Sequence, residues 1–443
     1  MTSSTSTAAS LAQDRPLSPS DAASHAALSE LREQLVMAYR NAHPIVLQGG
    51  GTCGFYGNPG THSPGARNLG TRSPGTHPGP GAAQPADDVV VLDCNRYSGV
   101  VSYEPSELVV TVRCGTPLVE LEELLAAHGQ CLPCDPPHFA PGRTVGGMVA
   151  TGLSGPRRLH AGAVRDFILG TVLLSPDGSV MRFGGEVMKN VAGYDMSRLL
   201  CGSLGILGPI AEVSLKVLPL PRADITLRME MIESDALAAC NRWLGKPLPI
   251  AATCWHAGVL HVRLCGAHRA VEAAHRELGG ALLQEQEAAV FWTAVRDHRH
   301  GFFSRHTEPL WRLSVPPTTE PLPLPGEQLI EWGGALRWWR PPTWGHSHAK
   351  GNPVRHPDTW SDVWPNMQTG RVLSPVLAEA ALALRARIAA VGGTATLFCT
   401  GSTRIGIGRF HPLAPVNLQI HQRLKQAFDP RGLINPGRMY AEL

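Results

Sequence analysis

Apolar and polar positions recur along this chain in runs that predict most of its elements. Leu28, Leu31, Leu35 and Val36 fall at helical spacing and predict a helix over 25–40. The apolar stretch 44–48 predicts a short buried strand, and 88–93 and 107–113 predict two more. Thr116 and Pro117 predict a helix start, because a hydroxyl suits the cap and Pro suits the first turn; Gly129 ends that helix. Strands over 165–174 and 179–184 flank Ser175, Pro176, Asp177 and Gly178, residue types that favour a hairpin turn. Residues 209–218 alternate like a strand, and Pro219 and Pro221 punctuate the chain after it.

Beyond residue 222 the texture changes. Helical spacing marks 235–244, 269–278, 285–299 and 375–391, and strand patterns mark 259–264, 309–315, 328–339 and 394–399. An irregular loop rich in Pro, His and Trp spans 341–362. A helix over 412–428 leads into a tight loop, 429–438, held by two prolines and two glycines. Strands backed by helices predict a mixed α+β architecture.

Composition narrows the function classes. The 443 residues suffice for two or three domains. The net charge is +3 with Lys and Arg spread along the chain, which gives no basis for binding nucleic acid. No apolar run has the length of a membrane span. Residues 1–22 lack the basic and apolar regions of a signal peptide and read as a disordered leader. Residues 58–85, rich in Gly, Pro, Thr and Ser, read as a flexible loop. Ten scattered cysteines fit a reducing cytoplasm. Cys131 and Cys134 form the one C-x-x-C; without a second pair it is no zinc site, so no metal is expected. It reads as a proline-structured loop, with a redox disulfide as the alternative.

The candidate chemistry lies in the glycines. A strand runs directly into residues 49–54, G-G-G-T-C-G, where backbone N–H groups can wrap a pyrophosphate; a plain turn is the other reading. The run matches neither the G-x-x-x-x-G-K-[ST] loop nor the G-x-G-x-x-G fingerprint. Two further runs, Gly146, Gly147, Gly152 and Gly155, then Gly202, Gly205 and Gly208, allow a backbone to approach something bulky. Together they suggest a large flat ligand with phosphates, such as a dinucleotide. Arg157 and Arg158 suit a phosphate or carboxylate, or an ordinary surface pair. His138 and His160 are the candidate proton-transferring groups. Lys189 and Tyr194 flank Gly193 as ligand-contacting, partner-contacting or structural residues. His256 and His261 fit a strand and read as structural. Trp332, Trp338 and Trp339 suit a core or an interface.

Several longer motifs occur in one order: residues 49–54, 144–147 (T-V-G-G), 165–170 (R-D-F-I-L-G), 202–208 (G-S-L-G-I-L-G) and 435–438 (N-P-G-R). Together they resemble the FAD-binding oxidoreductases of the vanillyl-alcohol oxidase type, the PCMH fold. More narrowly, 133–138 (P-C-D-P-P-H), 184–195 (G-G-E-V-M-K-N-V-A-G-Y-D), 326–337 (G-E-Q-L-I-E-W-G-G-A-L-R) and 435–443 (N-P-G-R-M-Y-A-E-L) are similar to FAD-binding subunits of bacterial glycolate oxidase. The resemblance runs from about residue 26 to the C-terminus. It implies an α+β fold with a two-lobed FAD-binding domain over 23–220 and an α+β cap over 221–400. The segment 401–443 then packs back on the FAD domain.

The resemblance also implies site residues. Gly49, Gly50, Gly51, Thr52 and Cys53 would hold the pyrophosphate of FAD. Pro136, Pro137, Thr144, Gly146 and Gly147 would line the flavin's path. Gly205, Ile206 and Ile210 would meet the adenosine and ribityl side, and Asn435 and Arg438 the isoalloxazine. No His occupies 49–54, so the expected FAD is non-covalent. Relatives that oxidise 2-hydroxy acids by themselves carry H-x-G-D-G-N-x-H, which is missing here. The implied function is therefore the FAD-binding subunit of a multi-subunit complex oxidising glycolate to glyoxylate. Its partners would be a paralogous FAD-containing catalytic subunit and an iron–sulfur subunit that passes electrons to a membrane acceptor. Its place would be the cytoplasm, peripheral on the inner membrane through those partners. An accessory subunit without catalysis and a stand-alone 2-hydroxy acid dehydrogenase are the alternatives.

Overall fold

Residues 19–58, 89–185, 195–306, 308–342, 374–401 and 406–443 are described by a computed structural model. The expected leader up to residue 18, the loop over 59–85, most of 341–362, Lys189 and Tyr194 lie outside the described residues.

Helix α1 (Pro19–Arg40) starts ahead of the segment its apolar spacing marks. It packs Leu31, Leu35 and Ala38 against β1 (Ile45–Gln48) and β2 (Val90–Asp93), which pair in parallel. Next come β3 (Val100–Glu104), β4 (Val109–Arg113), α2 (Leu118–Ala127), β5 (Gln130–Cys131), α3 (Val145–Thr151) and α4 (Arg158–Ala161). They are followed by β6 (Ile168–Leu174), β7 (Val180–Gly184), α5 (Met196–Leu199), β8 (Ile210–Lys216) and β9 (Leu218–Pro219). Among the described residues β3, β4, β8, β6 and β7 form, in that order, a five-stranded antiparallel sheet. Leu118, Leu121 and Leu125 of α2 and Met148 and Val149 of α3 bury against Val110, Val112, Val213 and Leu215 of that sheet. The helical period of one set meets the two-residue period of the other.

The second sheet is built from β10 (Ala223–Glu230), α6 (Glu233–Leu244), β11 (Ile250–His256), β12 (Val259–Gly266), α7 (His268–Leu278), β13 (Ala281–Leu282) and α8 (Glu285–Arg296). It continues through β14 (Leu310–Ser314), β15 (Glu327–Glu331), β16 (Leu336–Arg340), α9 (Ser374–Ala390) and β17 (Thr394–Cys399). The order is β13-β10-β12-β11-β15-β16-β14-β17, antiparallel throughout. One face buries Trp311, Leu313, Trp339 and Leu397 under Leu377, Leu384 and Ile388 of α9. The other face carries Leu310, Leu329, Trp338 and Phe398 and packs on Tyr56, Leu153 and Leu204. That seam between the two sheets positions the site. Finally α10 (Pro415–Phe428) returns the chain to the β1–β2 pair, where Ile434 bridges Ile45 of β1 in parallel.

Four local expectations are corrected. Thr116 does not cap α2: Pro117 holds that position, and the Thr116 hydroxyl donates to the Arg113 carbonyl at 2.6 Å. The strand expected from 165 begins at Ile168, because Asp166 accepts the Ala163 amide at 2.8 Å and closes a 3₁₀ turn first. The strand over 328–339 is two strands. Trp332, Gly333 and Gly334 take positive φ and reverse the chain between β15 and β16. His256 and His261 sit on different strands, because Ala257 and Gly258 turn β11 into β12.

Candidate functional site

β1 delivers the chain into the glycine loop at the seam. A Cβ on Gly50 would stand 1.6 Å from the Gly142 carbonyl oxygen, so only glycine fits. A Cβ on Gly49 would meet the Thr144 hydroxyl at 2.8 Å. Gly51 takes φ +70°. Among the described residues no hydrogen bond engages the amides of Gly50, Gly51, Thr52 and Cys53. Free consecutive amides suit a dianionic phosphate group and need no cationic side chain.

A cation nevertheless stands behind them. Arg143, 2% exposed, donates from Nη1 to the Cys53 sulfur and from Nη2 to the Thr151 hydroxyl at 2.7 Å. Its Nε is buried without a partner. Burial lowers its pKa, and Cys53 opposes that shift. Burial in turn pushes the Cys53 thiol up, against the pull of Arg143, so Cys53 stays protonated at neutral pH. A buried guanidinium with an orphaned N–H beside free amides fits an anionic group such as a pyrophosphate. Its only sequence signal is a single cation abutting T-V-G-G, which sequence reasoning passed over.

The C-terminal motif holds the same loop from the other side. Arg438 donates to the carbonyls of Tyr56 at 2.6 Å, Asn58 at 3.0 Å, Gly54 at 3.1 Å and Cys53 at 3.3 Å. Asn58 answers with its side-chain amide on the Gly437 and Met439 carbonyls, at 3.2 and 3.1 Å. Asn435, 8% exposed, accepts from the Leu47 amide at 2.9 Å and donates to the Leu204 carbonyl at 2.8 Å. Its own amide donates to Ile45 at 2.8 Å. The expectation set both residues beside the isoalloxazine. The structure commits the polar atoms of Asn435, and these four contacts of Arg438, to backbone: they shape the loop.

The remaining expected residues divide. Thr144 caps α3 and accepts the Gly147 amide at 3.1 Å. Gly146 lets α3 approach β4, since a Cβ there would meet Cys114 Cβ at 2.8 Å. Its amide, like that of Val145, already donates to a neighbouring carbonyl. The amides of Gly202, Leu204, Gly205, Ile206 and Gly208 are likewise engaged. Gly205 gives room to Asn435 and Leu47, each 3.0 Å from its would-be Cβ. Ile206 and Ile210, the latter the first residue of β8, are core residues of the cluster around the five-stranded sheet. Free amides are thus found at 50–53, whereas the amides of the two later glycine runs named above are engaged and their glycines permit close packing.

Pro136 and Pro137 are buried in a loop that takes positive φ at Asp135 and Phe139. That loop turns His138 toward α2, where its Nε2 meets Glu122 at 2.9 Å, while its amide donates to Asp297 at 2.9 Å. His160 lies on α4, its pKa lowered by burial. Cys131 and Cys134 are free thiols, and burial pushes Cys134 far up. Neither histidine is brought to the glycine loop by any hydrogen bond among the described residues.

The seam face of the second sheet carries charges that the sequence patterns left unremarked. Arg312 on β14 pairs across the sheet with Trp338, and Glu331 ends β15 opposite Leu336. Glu331, 4% exposed, accepts from Trp338 Nε1 at 2.7 Å; burial pushes its carboxyl up to about 7. The Arg312 guanidinium lies 5.3 Å from the Trp332 ring, and that of Arg158 from α4 lies 4.4 Å from it. Trp332 is tied back to the first sheet's unit by Nε1 donating to the Gly155 carbonyl at 3.0 Å. A charged residue inside an otherwise apolar strand, as in L-W-R-L-S, was the available signal.

Comparison with known proteins places the chain among FAD-linked oxidases. The FAD binding domain family matches residues 67–184, and the C-terminal domain family of FAD linked oxidases matches 412–439. The chain is 41% identical to glycolate oxidase subunit GlcE of Escherichia coli (strain K12), over 93% of this chain and 97% of that one. It is 24% identical to glycolate oxidase subunit GlcD of Bacillus subtilis (strain 168), over 82% of each. Among solved structures, an alkyldihydroxyacetonephosphate synthase shares the fold, with a TM-score of 0.58 at 14% identity, covering 92% of this chain and 75% of that one.

Proposed function

We propose, for a chain that belongs to the family of FAD-linked glycolate oxidase subunits, that it is the FAD-holding subunit of a complex converting glycolate to glyoxylate. The observation that carries this reading is the row of free amides over 50–53, backed by Arg143 and clamped by Arg438. Gly49, Gly50, Gly51, Thr52 and Cys53 hold the pyrophosphate of FAD. Thr144 and the loop of Pro136 and Pro137 bound the cofactor's path, and Asn435 and Arg438 keep the loop in shape. Bound FAD supplies the acceptor for the hydride that leaves the substrate's α-carbon. The tie is non-covalent: 49–54 contain no His, and Cys53 is held as a thiol against Arg143.

The FAD unit spans 23–220, the cap 221–400, and 401–443 returns to the FAD unit. A paralogous FAD-containing subunit and an iron–sulfur subunit complete the complex and carry electrons to a membrane acceptor. Among the described residues no helix is long and apolar enough to cross a membrane, which agrees with attachment to the inner membrane through those partners. The test is an anaerobic absorbance spectrum of the purified chain, alone and with its partners, before and after glycolate. Flavin bands that persist alone and bleach only with partners support the reading. Bleaching of the isolated chain replaces it with an autonomous dehydrogenase, and absence of flavin after reconstitution overturns it.

A further inference from the structure

The seam opposite the glycine loop holds two guanidiniums around one indole. No hydrogen bond or ion pair reaches the side chain of Arg312 or of Arg158 among the described residues, although both pack on Trp332. Arg312 sits on the face of β14 that also carries Leu310 and looks onto Tyr56, Leu153 and Leu204. Arg312 is half-buried and Arg158 is exposed; a guanidinium partly withdrawn from water with no carboxylate in hydrogen-bond contact is a candidate to receive one from a ligand. Arg presents a planar fork that matches a carboxylate in two parallel hydrogen bonds.

The groups around it complete a small polar site. Burial lowers the Arg312 pKa, opposed by Tyr56 and then Glu331. Partial desolvation also lowers the pKa of the more exposed Arg158, reinforced by Arg312, with Asp166 opposing and Arg165 adding to it. Glu331 has one oxygen on Trp338 and the other free of any hydrogen bond among the described residues. Asp135 adds negative charge toward Glu331 from the loop of Pro136. Tyr56 follows the glycine loop by two residues and packs in the same seam cluster as Trp332, so this site and the free amides lie close along the chain.

From this geometry we propose that the Arg312, Arg158 and Trp332 cluster binds the carboxylate of a small 2-hydroxy acid, with Glu331 accepting the hydrogen bond of its hydroxyl. The proposal rests on the functional reading above and gives the chain its own substrate-sized anion site. It departs from the expectation that this subunit lacks substrate machinery. Arg312 is the anchor and Glu331 orients. Protonation of Glu331 removes a negative charge facing the anion, so a plain dicarboxylate of similar size binds more tightly at pH 6 than at pH 8.

The test uses the full chain with FAD and oxalate, a redox-inert carboxylate of the right size, followed by calorimetry and by perturbation of the flavin absorbance. Wild type is expected to bind one oxalate, and Arg312→Leu to weaken it at least roughly 30-fold while retaining FAD, as loss of a charge-assisted pair predicts. Glu331→Gln flattens the pH dependence. Should Arg312→Leu fail to fold, Arg312→Lys keeps the charge without the fork and is expected to bind several-fold more weakly. Oxalate binding unchanged in a FAD-loaded Arg312 variant, or absent in wild type, overturns the site even if the complex still oxidises glycolate. A complex inert toward glycolate whose chain binds oxalate through Arg312 overturns the functional reading instead.

Discussion

Removing one amine at Lys425 should detach the C-terminal motif from the fold. Lys425 and Asp429 are 5% and 1% exposed. The ammonium donates to the Asp429 carboxylate at 2.7 Å and to the carbonyls of Ile206 at 2.7 Å and Ile434 at 2.6 Å. Asp429 also accepts the Ile434 amide at 2.7 Å, and its other oxygen is already without a partner. One side chain therefore joins α10, the 202–208 loop and the strand-like residue beside β1. Lys425→Met keeps the stem and deletes the charge. Asp429 is then a buried anion with one hydrogen bond, and such a broken pair costs about 3–5 kcal/mol. Lys425→Met with Asp429→Asn removes both charges and keeps an acceptor for Ile434, so it should recover more than half of that loss. The assay is urea unfolding of the FAD-loaded chain, followed by far-ultraviolet circular dichroism and by flavin fluorescence. A loss below about 1 kcal/mol, or a double variant no better than the single one, refutes the reasoning.

Three further outcomes are expected. Gly50→Ala must push the loop off the Gly142 carbonyl, only 1.6 Å from the new Cβ. Losing two amide contacts to phosphate should weaken FAD about 100-fold or more in a fluorescence titration, and a change under about threefold would count against the cradle. Thr144→Ala deletes the cap of α3 at a cost of about 1 kcal/mol, read as a shift in the urea midpoint. Glu331 is raised from 4.5 to about 7 in the fold, so its native state favours the proton. Its contribution to stability is full below pH 4.5 and fades as pH rises through 7, by on the order of 3 kcal/mol. Glu331→Gln should remove that slope, leaving the variant more stable than wild type at pH 8; parallel profiles would contradict the assignment.

The part of the site that needs only backbone was legible in the sequence. Residues 49–54 put glycines directly after a strand, the pattern a phosphate cradle asks for, and that much needs no tertiary information. Strands with one buried face, such as β12, were legible for a similar reason. Arg312 and Glu331 were not, because they come from β14 and β15, which share a face only through the order β15-β16-β14. Local pattern carries no sheet order. The reversal at Trp332 was hidden by its own residue type, since a bulky aromatic at positive φ is no turn signal. Asn435 and Arg438 were found by motif, but motif alone could not say that they bond the protein's own carbonyls. Arg143 was missed because one Arg in a Gly-rich stretch looks like surface; only its 2% exposure and orphaned Nε set it apart.

The account stands most directly on the cofactor and its mode of attachment. The purified, FAD-reconstituted chain should be precipitated with acid and the flavin in supernatant and pellet quantified against protein. One FAD per chain, all of it in the supernatant, is the result predicted for a cradle of free amides with Cys53 kept as a thiol. Flavin that stays with the precipitated protein, or a chain that takes up none, would contradict it.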